Sequence, residues 1–411
     1  MKPEPLITND AVTLGLLSAL LGVVFYTAHS AHPFWRRFYA YVPALLLCYF
    51  LPALFNSLGV IDGEHSQLYV VASRYLLPAT LVLLTLSIDL PAILRLGPKA
   101  LALFLTGTLG VIVGGPLALL IWQSLAPGVV AGEVWRGMAT VAGSWIGGSA
   151  NQAAMKEVFA VDNNLFGMMV AVDVIVANLW MAVLLYLAGR SQTLDARRGV
   201  DTSALQALRT RMERFEAEHA RIPQLPDLIF MLALAFGATG LAHALATPLA
   251  AFFDAQGAWA QRLSLASPFF WIVVLATSFG LLLSFTGARR LEGAGASKIG
   301  SALLYVLIAS IGMHMDLRAI LTNPGLFGVG LTWIAIHAAL LIAVARLLKA
   351  PVFYLAIGSQ ANIGGAASAP VVASAFHPSL APVGVLLAVL GYALGTYGGW
   401  VCGQLLRLVA E

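Results

Sequence analysis

Two short stretches gather small polar side chains around paired glycines: GSWIGGSANQ at 143–152 and GSQANIGG at 358–365. The first carries Ser144, Ser149, Asn151 and Gln152 around Gly147 and Gly148. The second carries Ser359, Gln360 and Asn362 ahead of Gly364 and Gly365, with Ser368 one turn on. Hydroxyls and carboxamides are neutral donors and acceptors, able to replace the water around a small solute or a sodium ion and then release it. Glycine lets a chain reverse and lets backbone approach a ligand closely. Where helices are interrupted, their ends offer N–H groups to an anion and C=O groups to a cation. The bland alternative is that small residues only let helices pack. That accounts for Gly and Ser, but not for Asn and Gln in both stretches.

A carboxylate adds to this set. Asp173 lies in VAVDVIVANLW, inside an otherwise apolar block. A charge at that depth is costly and marks a functional position by default. It could hold sodium, carry a proton, or form an ion pair with a cation such as Arg74. Asn178 could support Asp173 or bond to a neighbouring helix. Arg74 itself is either a counter-ion for an anionic substrate or a structural, snorkelling arginine. Asp89 and Asp316 read as helix-end or loop residues rather than ligands. Lys156 and Glu157 are expected at the mouth of the first glycine stretch, and His314 and His337 as ordinary packed or interfacial histidines.

The elements that position these groups must be membrane helices. Of the 411 residues, 60% are hydrophobic and 10% charged, against roughly 25% charged in an ordinary soluble domain. The apolar residues fall into blocks near 11–28, 39–59, 68–90, 99–123, 164–188, 227–248, 268–286, 299–315, 325–347 and 381–406. Each is about the 20 residues of one spanning helix. The glycine stretches sit inside two further apolar but interrupted segments, 135–161 and 351–376. Net charge is only +4, and no basic groove with aromatic platforms exists for nucleic acid. Cys48 and Cys402 lie in apolar blocks and suggest neither disulfide nor metal site. The opening MKPEPLITND lacks a basic segment ahead of a cleavage site, so the first block is expected to be retained.

Order and orientation come from a repeat. SWIGGSANQAAMKEVF at 144–159 aligns without gaps on ANIGGAASAPVVASAF at 361–376, matching Ile146, Gly147, Gly148, Ala150 and Phe159 to Ile363, Gly364, Gly365, Ala367 and Phe376. IDLPAIL at 88–94 similarly matches MDLRAIL at 315–321. If both interrupted segments enter and leave on one face, Arg36, Arg37, Arg95, Lys99, Arg289, Arg290, Lys298, Arg346 and Lys349 share the cytoplasmic side, as the positive-inside rule requires. Asp62 and Glu64 then fall outside, and Arg136, Arg318 and Arg407 remain exceptions. An odd number of crossings separates Asp89 from Asp316, so the halves run in opposite directions. The expected fold is an all-α polytopic membrane protein with two inverted-topology repeats, each of about five spans plus one re-entrant or broken helix hairpin. Residues 1–188 form the N-terminal repeat and 226–411 the C-terminal one. The linker 189–225 shows Leu205, Leu208, Met212 and Phe215 at helical spacing, an amphipathic helix on the membrane surface, on a partner, or simply in water.

Together GSWIGGSANQAA and GSQANIGGAASAPVVASAF resemble the YjcL-like bacterial membrane proteins, a family of unknown function, over nearly the whole chain. More distantly, the layout resembles the sodium-coupled citrate and glutamate symporters. That resemblance implies Gly147, Gly148, Gly364 and Gly365 at hairpin tips, a homodimer and an elevator-like moving domain. The arginine pattern of citrate or glutamate binding is not visible near the second stretch, so no substrate is carried over.

The leading expectation is a secondary active transporter in the bacterial inner membrane. It would couple sodium or protons, through Asp173 and Asn178, to a small anionic or zwitterionic metabolite. No further cofactor is expected, no nucleic acid and no transition metal, with sodium a candidate at the hairpin tips. A channel or sensor is the alternative. An intramembrane enzyme lacks its constellation: HExxH is absent, Asp173 has no partner aspartate in view, and Ser144 sits in GSWIG rather than GxSxG.

Overall fold

The computed structural model describes residues 5–411 except 43, 64, 202, 204–205, 209–222, 315–322 and 378–379. Leu205, Met212 and Phe215 of the expected amphipathic helix, Glu64, Asp316, Arg318 and the MDLRAIL repeat partner lie outside the described residues. Among those described, the chain is all-helical save one isolated bridge between Ile7 and Ile61. In chain order the principal helices are α1 (Asp10–Ala28), α2 (Pro33–Tyr41), α3 (Ala44–Ser57) and α4 (Leu68–Leu86). There follow α5 (Pro98–Leu125), α6 (Val134–Val158) and α7 (Asn163–Gly189). The second half holds α8 (Leu225–Asp254), α9 (Pro268–Ser284), α10 (Ala296–Gly312) and α11 (Gly325–Leu347). It ends with α12 (Val352–Ile363), α13 (Gly365–Phe376) and α14 (Ala381–Ala410). Seven of these are long and apolar enough to cross a membrane, up to nine if each bent pair counts as one span. α10 is a shorter apolar helix. The protein is therefore an all-α, multi-pass membrane protein.

Both interrupted segments double back. In α6, Gly148 takes φ 76°, ψ −175°, a conformation open to glycine and strained for anything with a Cβ. A straight helix would separate residues 23 positions apart by about 35 Å. Instead Arg136 Nη1 donates to the Phe159 carbonyl at 2.8 Å, and the Trp135 and Phe159 rings lie 5.9 Å apart. The second segment breaks between α12 and α13, where Gly365 has φ 55°. There the Phe353 and Phe376 rings, also 23 positions apart, lie 5.3 Å apart. Arg136, an exception to the charge pattern, thus ties the mouth of the first hairpin, stacked over Trp135. Arg407 reaches the same ring and pairs with Glu411.

The helices sort into two groups. One contains α5, α6, α7, α11, α12, α13 and α14; the other contains α1, α3, α4, α8, α9 and α10. The most extensive contact is α6 on α14, and glycine makes it possible. Gly143 and Gly147 on α6 face Gly391, Gly395 and Gly399 on α14, each set spaced by four residues. A Cβ on Gly147 would stand 2.7 Å from the Gly391 carbonyl and the Gly395 Cα, and one on Gly399 3.1 Å from the Gly143 Cα. Without a hydrophobic drive between helices in lipid, such close backbone approach supplies the packing energy. Cys48 and Cys402 are both free and buried.

The described part of the linker contributes a short helix, Ser191–Arg197. Asp195 on it accepts the Val352 amide at 3.0 Å, satisfying one of the orphan N–H groups at the start of α12. Burial raises this carboxyl above its ordinary value, with the Val352 bond and Arg198 opposing. Asp89 caps the short helix Leu90–Leu94 through the Ala92 amide and pairs with Arg289 at 2.6 Å.

Candidate functional site

The two glycine breaks meet. A Cβ placed on Gly365 would have the Gly148 Cα as its nearest neighbour, at 3.9 Å. Two helix N-termini and two C-termini therefore converge at one point, from α12, α13 and the two limbs of α6. Ser149 lies beside the break, partly exposed.

Asp173, on α7, is held entirely by the first hairpin. Ser144 Oγ donates to Oδ2 at 2.6 Å, Trp145 Nε1 to Oδ1 at 2.7 Å, and Gln152 Nε2 to Oδ2 at 3.0 Å. Ser144 lies one turn before the break and Gln152 one turn after, so the carboxylate brackets it. All four side chains are buried. The glutamine's other end is left over: Gln152 Oε1 is buried with no hydrogen-bond partner. The second hairpin repeats this feature. Gln360 Nε2 donates to Ser368 Oγ across its break at 2.6 Å, and Gln360 Oε1 is likewise buried without a partner. An unsatisfied buried acceptor costs about 1–3 kcal/mol. Each hairpin thus keeps one such buried oxygen.

Asn151 and Asn362 have a different job. Asn151 Nδ2 donates to the Gly147 carbonyl and to Tyr392 O on α14, both at 2.9 Å, while Thr396, one turn beyond Tyr392, donates to its Oδ1 at 2.6 Å. Asn362 Nδ2 donates to Gly358 O at 2.8 Å and to Phe104 O on α5 at 2.9 Å, while Thr108, one turn beyond Phe104, donates to its Oδ1 at 2.8 Å. The two clamps use the same chemistry. Each spends both amide hydrogens on backbone carbonyls and bolts a hairpin limb to a long helix.

Ser359 pairs with a residue that sequence reasoning read as ordinary packing. His337 Nε2 lies 2.8 Å from Ser359 Oγ, its Nδ1 lies 3.1 Å from the Gly107 carbonyl, and Trp180 Nε1 donates to Ser359 at 2.7 Å. With Nδ1 protonated toward the carbonyl, Nε2 accepts the serine hydroxyl proton. The second hairpin thus leans on an imidazole where the first leans on a carboxylate. His337 is one polar residue in an apolar span, the same signal that marks Asp173. Trp145, Trp180, Thr108, Thr396 and Tyr392 also went unread, and only Trp145 stood inside a glycine stretch.

Three expectations change. Arg74 is not the partner of Asp173: its Nη2 lies 3.9 Å from Glu157 Oε2, and its guanidinium sits over Phe269 at 4.5 Å. It occupies a π-helical turn, Ala72–Leu76, ahead of Pro78. Proline lacks the N–H that would have paired with the Arg74 carbonyl, and His243 Nε2 takes that role at 2.8 Å. Asn178 does not reach Asp173; its Nδ2 returns to Val174 O on its own helix at 2.7 Å. Lys156 does not face an open mouth. It is buried, donates to Tyr69 OH at 2.6 Å and lies 3.6 Å from Glu157 Oε1. Among the described residues no group of three His, Cys, Asp or Glu could hold a metal ion.

Comparison with known proteins agrees with this reading of the chain as a membrane protein and leaves its activity open. Residues 15–409 match a family described as protein of unknown function (DUF819). The chain is also 25% identical, over 366 residues, to the uncharacterized membrane protein YjcL of Bacillus subtilis (strain 168). That match covers 85% of this chain and 86% of the relative. With nearly its whole length matched, the chain belongs to the DUF819 family of proteins of unknown function.

Proposed function

We propose that the protein is a secondary active transporter of a small organic anion, coupled to sodium or protons. The observation that carries this reading is the meeting of two glycine breaks next to a buried carboxylate. Interrupted helices survive at membrane depth only where protein or a watery cavity satisfies their backbone, and transporters place substrate and coupling ion at such breaks. Gln152 Oε1, Gln360 Oε1 and the Asp173 carboxylate supply oxygens for a sodium ion. The converging helix N-termini of the breaks favour an anion.

Contacts between helix ends support antiparallel halves. Asp89 with Arg289, the Lys99 ammonium with Lys349 O (3.2 Å) and Asp195 with Val352 all join ends assigned to the cytoplasm by charge. Tyr69 with Lys156, Gln123 with Val409 O (3.1 Å) and Asn323 with Val129 O (2.8 Å) join the opposite ends. The helix group holding both hairpins is then the moving body, and the group of α1, α3, α4, α8, α9 and α10 the scaffold, in a homodimer of the bacterial inner membrane.

The test is counterflow in proteoliposomes. Trans substrate accelerates uptake by a carrier and does not accelerate passage through a channel. Flux that depends on a sodium or proton gradient, and that Asp173→Asn uncouples, is the expected result. Solute flux without exchange acceleration overturns the carrier reading.

A further inference from the structure

Away from the glycine breaks, a cavity of about 570 Å³ lies between α1, α10 and α14. It is within the range of small-molecule sites, about 300–1,000 Å³. Its walls belong to different bodies: α1 and α10 to the group without hairpins, α14 to the group with them. Its body is apolar, formed by Leu21 and Phe25 of α1, Val306 of α10, and Val385 and Val389 of α14. Phe25 meets Tyr305 edge-on at 4.6 Å between ring centroids, making an aromatic corner. At the N-terminal end of α10, Ser297, Lys298 and Ser301 supply the polar part. Tyr392 lines the cavity too, and its ring stands between the cavity and the first glycine break: a Cβ on Gly148 would lie 3.7 Å from Tyr392 Cε1.

Charge decides what fits. Lys298 is the one charged residue in the lining, at its exposed end. Glu292, just ahead of α10, is already engaged. It accepts from Ser87 Oγ at 2.5 Å, from the Ser297 amide at 3.0 Å and from Ser297 Oγ at 2.6 Å. A second carboxylate on the ligand would be pressed against valine and phenylalanine with no partner, and Glu292, held beside Ser297 at the polar end, would repel it. That is a desolvated charge without compensation.

We infer that this cavity binds a monoanion with an apolar body, its carboxylate on Lys298 and its chain along Phe25 and Val389. As a substrate class the inference rests on the transport reading; as a binding site it is measured at equilibrium and fails or holds independently of flux. A membrane lipid with one anionic charge offers the same chemistry, and the test separates the two sources.

The experiment is binding of labelled octanoate to the purified full chain in phosphatidylcholine nanodiscs, with citrate, glutamate and octanol as competitors. Octanoate is expected to bind, with citrate and glutamate failing to displace it. Lys298→Gln should weaken binding about tenfold or more, the loss of a charge-assisted contact, and Lys298→Arg should restore it. Gly22→Leu should abolish binding without disturbing the fold, because Gly22 lines the cavity and a Cβ there meets nothing within 4 Å. Octanoate displaced by phosphatidylglycerol in a Lys298-dependent way would identify lipid as the source of the same chemistry. Lack of that displacement would identify a soluble anion. Absence of octanoate binding, binding indifferent to Lys298→Gln and Gly22→Leu, or equal competition by citrate overturns the inference.

Discussion

Replacing Asp173 by asparagine changes one atom type at the point where three donors converge. With Oδ1 kept toward Trp145 Nε1 (2.7 Å), the new NH2 group faces Ser144 Oγ and Gln152 Nε2, now at 2.6 and 3.0 Å from Oδ2. The serine hydroxyl can turn to accept. Gln152 can rotate its amide so that Oε1, buried and without a partner, accepts as well. The structural cost is therefore the difference between charge-assisted and neutral bonds, about 1–2 kcal/mol. Asp173→Leu strands all three donors, and at about 1–3 kcal/mol each the loss reaches several kcal/mol. Ion binding separates the variants further. A sodium ion present at 100 times its Kd stabilises the native state by about 2.7 kcal/mol. Asp173→Asn should lose that increment because it lacks the charge and because Gln152 Oε1 is then in use. The assay is thermal unfolding of purified protein in sodium against potassium. Wild type melting higher in sodium, with Asp173→Asn equal in both salts and slightly lower in potassium, is the expected pattern. A variant that keeps the full sodium increment refutes the role given to this carboxylate. Equal wild-type melting in both salts redirects the coupling to protons.

Four other outcomes follow from the same geometry. Gly148→Ala should cost about 1–3 kcal/mol from backbone strain alone, since the nearest atom to its Cβ is 3.7 Å away; a melting temperature equal to wild type would remove the glycine-specific turn. In double-mutant cycles, Asn151 with Thr396→Val and Asn362 with Thr108→Val should show couplings of about 0.5–3 kcal/mol each, and additive effects would deny the paired clamps. Tyr69→Phe strips a buried ammonium of its hydroxyl partner, so it should destabilise by about 1–3 kcal/mol, and Lys156→Met added to it should recover part of that loss; a further drop in melting temperature would show the lysine matters beyond this bond. Single cysteines at Gly132 and Ala160 should label from one face of the membrane, and at Lys349 and His377 from the other; labelling of either pair from opposite faces would end the two-hairpin topology.

The membrane class, the positions of the helices and the two places where helices break were legible from the sequence because each depends on local composition. A run of about 20 apolar residues has one stable use, and Gly-Gly among Asn and Gln cannot continue a lipid-facing helix. The glycines at 143 and 147 and at 391, 395 and 399 gain their meaning only from the fold, which sets them face to face. Tertiary structure alone decided which polar atoms are spent and which are left. Asn151 and Asn362 look like ligands in sequence and prove to be bolts, while Gln152 and Gln360, adjacent to them in type and position, keep a free oxygen each. Arg74 and Asp173 are opposite charges in two apolar spans, yet the arginine, in a π-turn before Pro78, reaches Glu157, and the aspartate finds its partners on the hairpin. Sequence spacing fixes what a side chain is and roughly how deep it lies. Its direction, and so whether its hydrogen bonds are filled, depends on helices brought together from the far half of the chain.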